Sequence, residues 1–166
     1  MDESLVRREI GTEIEINAQP ARVWAVLTDF SSYPEWNTFL HWVEGRIAEG
    51  ERIRFCFELP RGFRFKVGAT ILNVIPERAL RWAGVFLTSR VFCAEHYFEL
   101  TSSPGGRTRF SHGEIFTGLL LPLAWIILRI SGPRVYEDMN HELKRRVESY
   151  VAQPSRPVGS TQGNSI

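Results

Sequence analysis

Three side chains in this sequence could move a proton: His96, His112 and Glu114. They fall in two stretches of alternating polarity that read as strands. In the first, Phe92, Ala94, His96, Phe98 and Leu100 share a face; in the second, Thr108, Phe110, His112, Glu114 and Phe116 do. Alternation therefore sets all three polar groups among apolar neighbours. A histidine titrates near neutrality, and a carboxyl beside it makes a general acid or base possible at a bound molecule. The simpler expectation is a satisfied structural pair, with an imidazole donating to Glu114, because buried polar groups normally find partners. His112-x-Glu114 could supply two metal ligands from one strand face, but no third ligand has a clear spacing, so no metal site is expected. No Gly-x-Ser-x-Gly elbow, phosphate loop, dinucleotide fingerprint or His-Glu-x-x-His motif occurs, and no cofactor is expected.

The second chemical signal is aromatic surplus: eleven Phe, five Trp and four Tyr, more than a minimal core of this size requires. Core packing accounts for most of them, yet in a hollow fold one ring can serve both core and pocket wall. The candidate ligand-binding residues are Trp36, Phe55, Phe57, Phe65, Trp82, His96, Phe98, Phe110 and His112, with Leu120, Met139 and Leu143 from the C-terminal part. Trp36 is singled out because its loop is placed to close one end of a cavity.

The elements that must position these groups follow from periodicity. Glu9 to Asn17 alternates as a half-buried strand. Pro20 suits a first helical turn, and Val23, Trp24, Val26, Leu27 and Phe30 continue at helical spacing. Ser31, Ser32 and Pro34 end that helix, and residues 34–37 form a further helical turn or a loop. Six strand signals follow, the first over Leu40 to Ile47, separated by turns such as Pro60-Arg61-Gly62 and Pro104-Gly105-Gly106. Val135, Met139, Leu143, Val147 and Val151 then recur every fourth residue, with Tyr136 and Tyr150 flanking, marking a long amphipathic helix. Between strands and helix, Gly118 to Ile130 is apolar nearly all round. That pattern predicts burial against a cavity mouth or a partner, with an interruption at Ser131-Gly132-Pro133.

Composition bounds the rest. A chain of 166 residues is one domain, taken as 9–151 with flexible termini at 1–8 and 152–166. Twenty Lys+Arg against nineteen Asp+Glu, with no basic run, argue against nucleic-acid binding. The apolar stretch is shorter than the roughly 20 residues of a membrane span, so no stable insertion is expected. Cys56 and Cys93 have neither zinc nor redox-pair spacing, which points to the cytoplasm. The element order describes an α+β domain, an antiparallel sheet with one face covered by a long helix.

The stretch Ile16-Asn17-Ala18-Gln19-Pro20-Ala21-Arg22-Val23-Trp24, continuing to Phe30 and then Tyr33-Pro34-Glu35-Trp36-Asn37, resembles the opening of the polyketide cyclase/dehydrase-like branch of the SRPBCC (START/birch-allergen-like) superfamily. His96-Tyr97-Phe98-Glu99-Leu100, the Gly105-Gly106-Arg107 hairpin and His112-Gly113-Glu114-Ile115-Phe116 agree with it. Thr38 stands where the branch usually carries proline. The resemblance implies a helix-grip fold, a seven-stranded antiparallel sheet curled round the C-terminal helix, enclosing an apolar tunnel. The first functional expectation is binding of a hydrophobic or amphipathic molecule (lipid, polyketide, quinone or sterol-like) by a monomer or homodimer. The second is a cyclase/aromatase-type enzyme using His96, His112 or Glu114 as acid or base. The third is a protein-interaction module docking through Leu119 to Leu128.

Overall fold

Alternating β-branched and aromatic residues put seven strands into one sheet, and the computed structural model describes them within residues 6–59 and 62–151. The strands are β1 (Arg7–Ile16), β2 (Leu40–Glu44), β3 (Arg52–Leu59), β4 (Phe63–Ile75), β5 (Ala79–Phe86), β6 (Phe92–Ser103) and β7 (Arg107–Thr117). All neighbours are antiparallel, in the order β1-β7-β6-β5-β4-β3-β2. The first strand thus closes against the last, and the six later strands form a meander. Between β1 and β2 lie α1 (Pro20–Thr28), a 3-10 turn at Phe30–Ser32 and the short α2 (Tyr33–Trp36). The helix α3 (Leu121–Val151) follows β7 and lies over the concave face. This is the helix-grip architecture.

Three local expectations are corrected. β1 begins at Arg7, two residues before the alternation that starts at Glu9, because Arg7 and Arg8 still pair with Thr117 and Phe116. β2 ends at Glu44 rather than Ile47, where Gly45 adopts a φ of 131° that turns the chain. α3 runs unbroken through Ser131-Gly132-Pro133. Pro133 removes one main-chain donor, but the buried Tyr136, Met139, Leu143 and Val147 hold the following turns to the sheet. The termini before residue 6 and after 151, and most of the Pro60-Arg61-Gly62 turn, lie outside the described residues.

The core is built in rows across the sheet. Leu80, Phe98 and His112 are register partners on β5, β6 and β7, and Leu100 partners Phe110 in the next row. All five are buried, and Met139, Leu143 and Val147 of α3 join the same apolar cluster. The convex face is wet and laced by ion pairs. Arg81 reaches Glu95 at 2.8 Å and also bonds Glu99, while Arg64 reaches Glu58 at 2.6 Å. Pairs of this kind are screened by solvent and contribute little, so stability resides in the rows beneath them.

Candidate functional site

The rows change character toward the other end of α3. Trp82, His96 and Glu114 form one row across β5, β6 and β7, and the next is Gly84, Ala94 and Phe116. Glycine and alanine there leave space that no side chain fills. The result is a cavity of about 530 Å³. Its wall is apolar: Phe55, Phe57, Val67, Val85, Phe86, Phe92 and Phe116 from the sheet, Phe39 and Leu40 from the turn into β2, and Ile127, Leu128 and Val135 from α3. Val85, Phe86 and Ile127 line it and are also 53%, 59% and 64% exposed, so they form its mouth.

Four polar side chains reach this wall: Lys66, His96, Glu114 and Tyr136. Lys66 is exposed; His96 ends a hydrogen-bonded chain that starts at Thr12, and Glu114 is bonded to Tyr136. Thr12 Oγ1 donates to the His112 carbonyl at 3.1 Å and accepts from Asn140 Nδ2 at 2.9 Å. That orientation turns Asn140 Oδ1, which can only accept, toward His112 Nδ1 at 2.8 Å, so Nδ1 carries the hydrogen. Burial, and then the neighbouring His96, hold His112 well below the usual histidine pKa and keep it neutral. Its Nε2 is therefore a bare acceptor, and His96 Nε2, 2.9 Å away, must donate. The remaining His96 nitrogen, Nδ1, faces Glu114 Oε1 at 3.8 Å.

Glu114 is fixed from its other oxygen, where the Tyr136 hydroxyl donates to Oε2. Burial and the nearby Glu114 raise the Tyr136 pKa well above its ordinary value, so the phenol stays a donor. Trp82 lies parallel to the His96 ring, with centroids 5.0 Å apart and planes 4° apart, and fixes its orientation. An imidazole and a carboxyl are thus held at an apolar wall by groups that have no other freedom. The expected direct hydrogen bond between them is corrected: 3.8 Å is too long, because His96 is drawn to His112 instead. Among the described residues no group of three or more His, Cys, Asp or Glu is arranged to hold a metal ion.

Of the residues proposed from sequence, Phe55, Phe57, Trp82, His96 and Glu114 meet at the cavity. Phe98, Phe110, His112, Met139 and Leu143 do not; each is fully buried in the filled rows. Trp36 packs edge-on against Tyr33 at 4.9 Å and donates to Ser32, away from the cavity. Phe65 is 46% exposed and stacks beside Phe57, its register partner on β3, without lining the cavity. Leu120, 43% exposed, precedes α3. Sequence reasoning passed over Phe39, Phe116 and above all Tyr136, read only as flanking the helix stripe. The signal that could have found the cavity is the Gly84–Ala94 pair, small residues amid large ones.

The apolar stretch 118–130 meets the cavity mouth through Ile127 and Leu128, but it is buried on one side only. Leu121 is fully buried and Trp125 and Leu128 pack on the core, but Leu119, Leu123, Ile126, Ile127 and Ile130 are exposed. The sheet covers only one side of the first turns of α3. Thr38, where proline was expected, gives a different anchor: its N–H and hydroxyl donate to the Glu142 carboxyl at 2.9 and 2.8 Å, tying the turn before β2 to α3. Proline has no N–H and could not make the first of these bonds.

A seven-stranded antiparallel sheet gripping one long helix over an apolar cavity is a helix-grip domain. Over residues 7–148 the chain matches the family described as polyketide cyclase / dehydrase and lipid transport, and it belongs to that family. Similar solved structures include an aromatase/cyclase from Streptomyces sp. R1128, with 16% identity, a TM-score of 0.73, and 94% of this chain and 100% of that one covered. A START superfamily protein from Mycobacterium smegmatis shows 15% identity and a TM-score of 0.67, covering 86% and 99%. Norcoclaurine synthase from Thalictrum shows 12% identity and a TM-score of 0.69, covering 89% and 98%. At these identities the likeness is one of fold. No curated protein sequence matches the chain.

Proposed function

We propose that this protein binds a hydrophobic or amphipathic small molecule, of lipid, polyketide, quinone or sterol-like character, between the sheet and the first half of α3. The observation that carries the reading is the cavity of about 530 Å³ with an apolar wall and an exposed apolar mouth. Cavities of roughly 300–1,000 Å³ with few polar groups are the usual form of small-molecule sites. Free Cys56 and Cys93 support a reducing, cytoplasmic setting, with the protein acting as a monomer or homodimer. Native mass spectrometry and an organic extract of gently purified protein test the proposal. A stoichiometric apolar ligand is expected; an empty protein that takes up no hydrophobic probe would overturn it.

A second reading, a cyclase- or dehydratase-type enzyme, is favoured by one observation: His96 and Glu114 stand at the wall in fixed orientation. In it, His96 Nδ1 gives or takes the proton of a bound carbonyl compound while His112 holds the other ring nitrogen. Single-turnover assays on poly-β-keto thioester analogues would separate the readings. Loss of turnover with retained binding in His96→Gln supports the enzyme, and binding without turnover in the unaltered protein supports the carrier.

A further inference from the structure

The wall contains two groups that face each other without bonding. His96 Nδ1 and Glu114 Oε1 are 3.8 Å apart, and the other atoms of both groups are engaged, His96 Nε2 by His112 and Glu114 Oε2 by Tyr136. Without a proton between them, two lone-pair atoms point at one another beside an apolar cavity. With one proton, on either atom, the pair presents one donor and one acceptor. Neither atom has a hydrogen-bond partner among the described residues, and both side chains line the cavity, where a bound molecule can supply one. Resting on the binding proposal above, we infer that the ligand carries a hydroxyl (an alcohol, phenol or enol) seated between His96 Nδ1 and Glu114 Oε1.

The geometry suits a single oxygen. One atom can lie about 2.8 Å from both positions, the ordinary hydrogen-bond length, because they are less than twice that distance apart. A hydroxyl both donates and accepts, so it completes the pair whichever atom holds the proton. A ketone or ether can only accept and leaves one side unpaired. A carboxylate adds an anionic group beside the Glu114 carboxyl in apolar surroundings, which is costly. The titratable groups facing the pair are His112, already engaged on both ring nitrogens, and Tyr136, whose proton goes to Glu114. Lys66 is the remaining charged residue of the wall, and it is exposed.

Three probes with one ring skeleton test this: naphthalene, 2-naphthol and 2-naphthoate, titrated into the full chain by fluorescence. The hydroxyl should tighten binding about tenfold over naphthalene, a typical gain for a well-placed hydrogen-bonded group. In Glu114→Leu, which removes the hydrogen-bonding oxygen while keeping the bulk, that preference should fall to about twofold or less. In the unaltered protein, ring nitrogen NMR gives a readout independent of any variant. The His96 Nδ1 resonance should move with 2-naphthol and stay fixed with naphthalene. Equal affinity for naphthol and naphthalene, or an unmoved Nδ1 resonance, overturns the hydroxyl inference while leaving the cavity proposal standing. Tightest binding of 2-naphthoate overturns it too and assigns the head group to Lys66. Binding of none of the three overturns both.

Discussion

The two halves of α3 lie over the same concave sheet but meet different floors. The C-terminal half sets Met139, Leu143 and Val147 in one buried cluster with Phe98, Leu100 and Phe110, each fully or almost fully buried. The N-terminal half sets Ile127, Leu128, Gly132 and Val135 opposite Gly84 and Ala94, and the space remains open. Strand pairing is the same in both regions: β5, β6 and β7 run continuously through filled and hollow rows alike. The hollow is thus made by side-chain volume in one row and requires no break in the sheet. The polar cluster from Thr12 to Tyr136 lies where the two regions meet. Its inner members, His112 and Asn140, are sealed in the solid part, and its outer members, His96 and Glu114, open on the void.

The sharpest break in this comparison should come from truncation at the solid end. Phe110→Ala is expected to lower unfolding free energy by about 3–5 kcal/mol, and Leu143→Ala by about 2–5 kcal/mol, through lost transfer energy and an uncollapsed cavity. Urea denaturation measures both. Costs below about 1 kcal/mol would mean that this end is as loosely filled as the other.

A smaller effect is expected from acid. His112 is kept neutral by burial and then by His96, so its folded pKa lies below its unfolded one. Between the two values the unfolded chain binds more protons, and stability must fall as pH falls. The contribution is complete above about pH 6.5 and fades on the order of 1 kcal/mol per pH unit below it. Denaturation curves between about pH 7 and pH 5, above the carboxylate range, should show this slope. His112→Gln should flatten it. An equal slope in both proteins would contradict the sealed, neutral imidazole.

The mildest stability effect is expected at the mouth. Ile127→Asn changes a side chain that is 64% exposed, so its thermal midpoint should shift by the equivalent of about 1 kcal/mol or less. The same substitution in solid core would leave an amide unpaired at roughly 2–5 kcal/mol. A core-sized drop would place the first turns of α3 in the packed interior after all.

The sequence made the strands legible because a two-residue period survives any curvature of the sheet. All seven are found, with ends displaced by a few residues where pairing or a glycine decides. The long helix was legible from its four-residue spacing, although the expected break at Pro133 was overridden by packing. The cavity was only half legible. Alternation states which face a residue takes, and it placed Phe98, Phe110 and His96 correctly on one side. It does not state how much space the side chains of each row leave beneath the helix, and that separates the buried Phe98 from the cavity-lining His96. Tyr136 was misjudged for a related reason. Helical spacing ranked it beside the apolar stripe, while its hydroxyl reaches Glu114 on β7, 22 positions earlier in sequence.

The central claim is that small residues in one row create a ligand cavity, and filling that row tests it most directly. Ala94→Phe adds a ring beside Gly84, into space that is otherwise open. Binding of a fluorescent hydrophobic probe and the thermal midpoint are measured on the same samples. The account predicts saturable binding by the unaltered protein and at least about tenfold weaker binding by the variant, a loss of some 1.4 kcal/mol. The midpoint should stay within about 4 °C. Unchanged binding in a folded Ala94→Phe protein would put the probe on the exposed mouth residues instead and contradict the cavity.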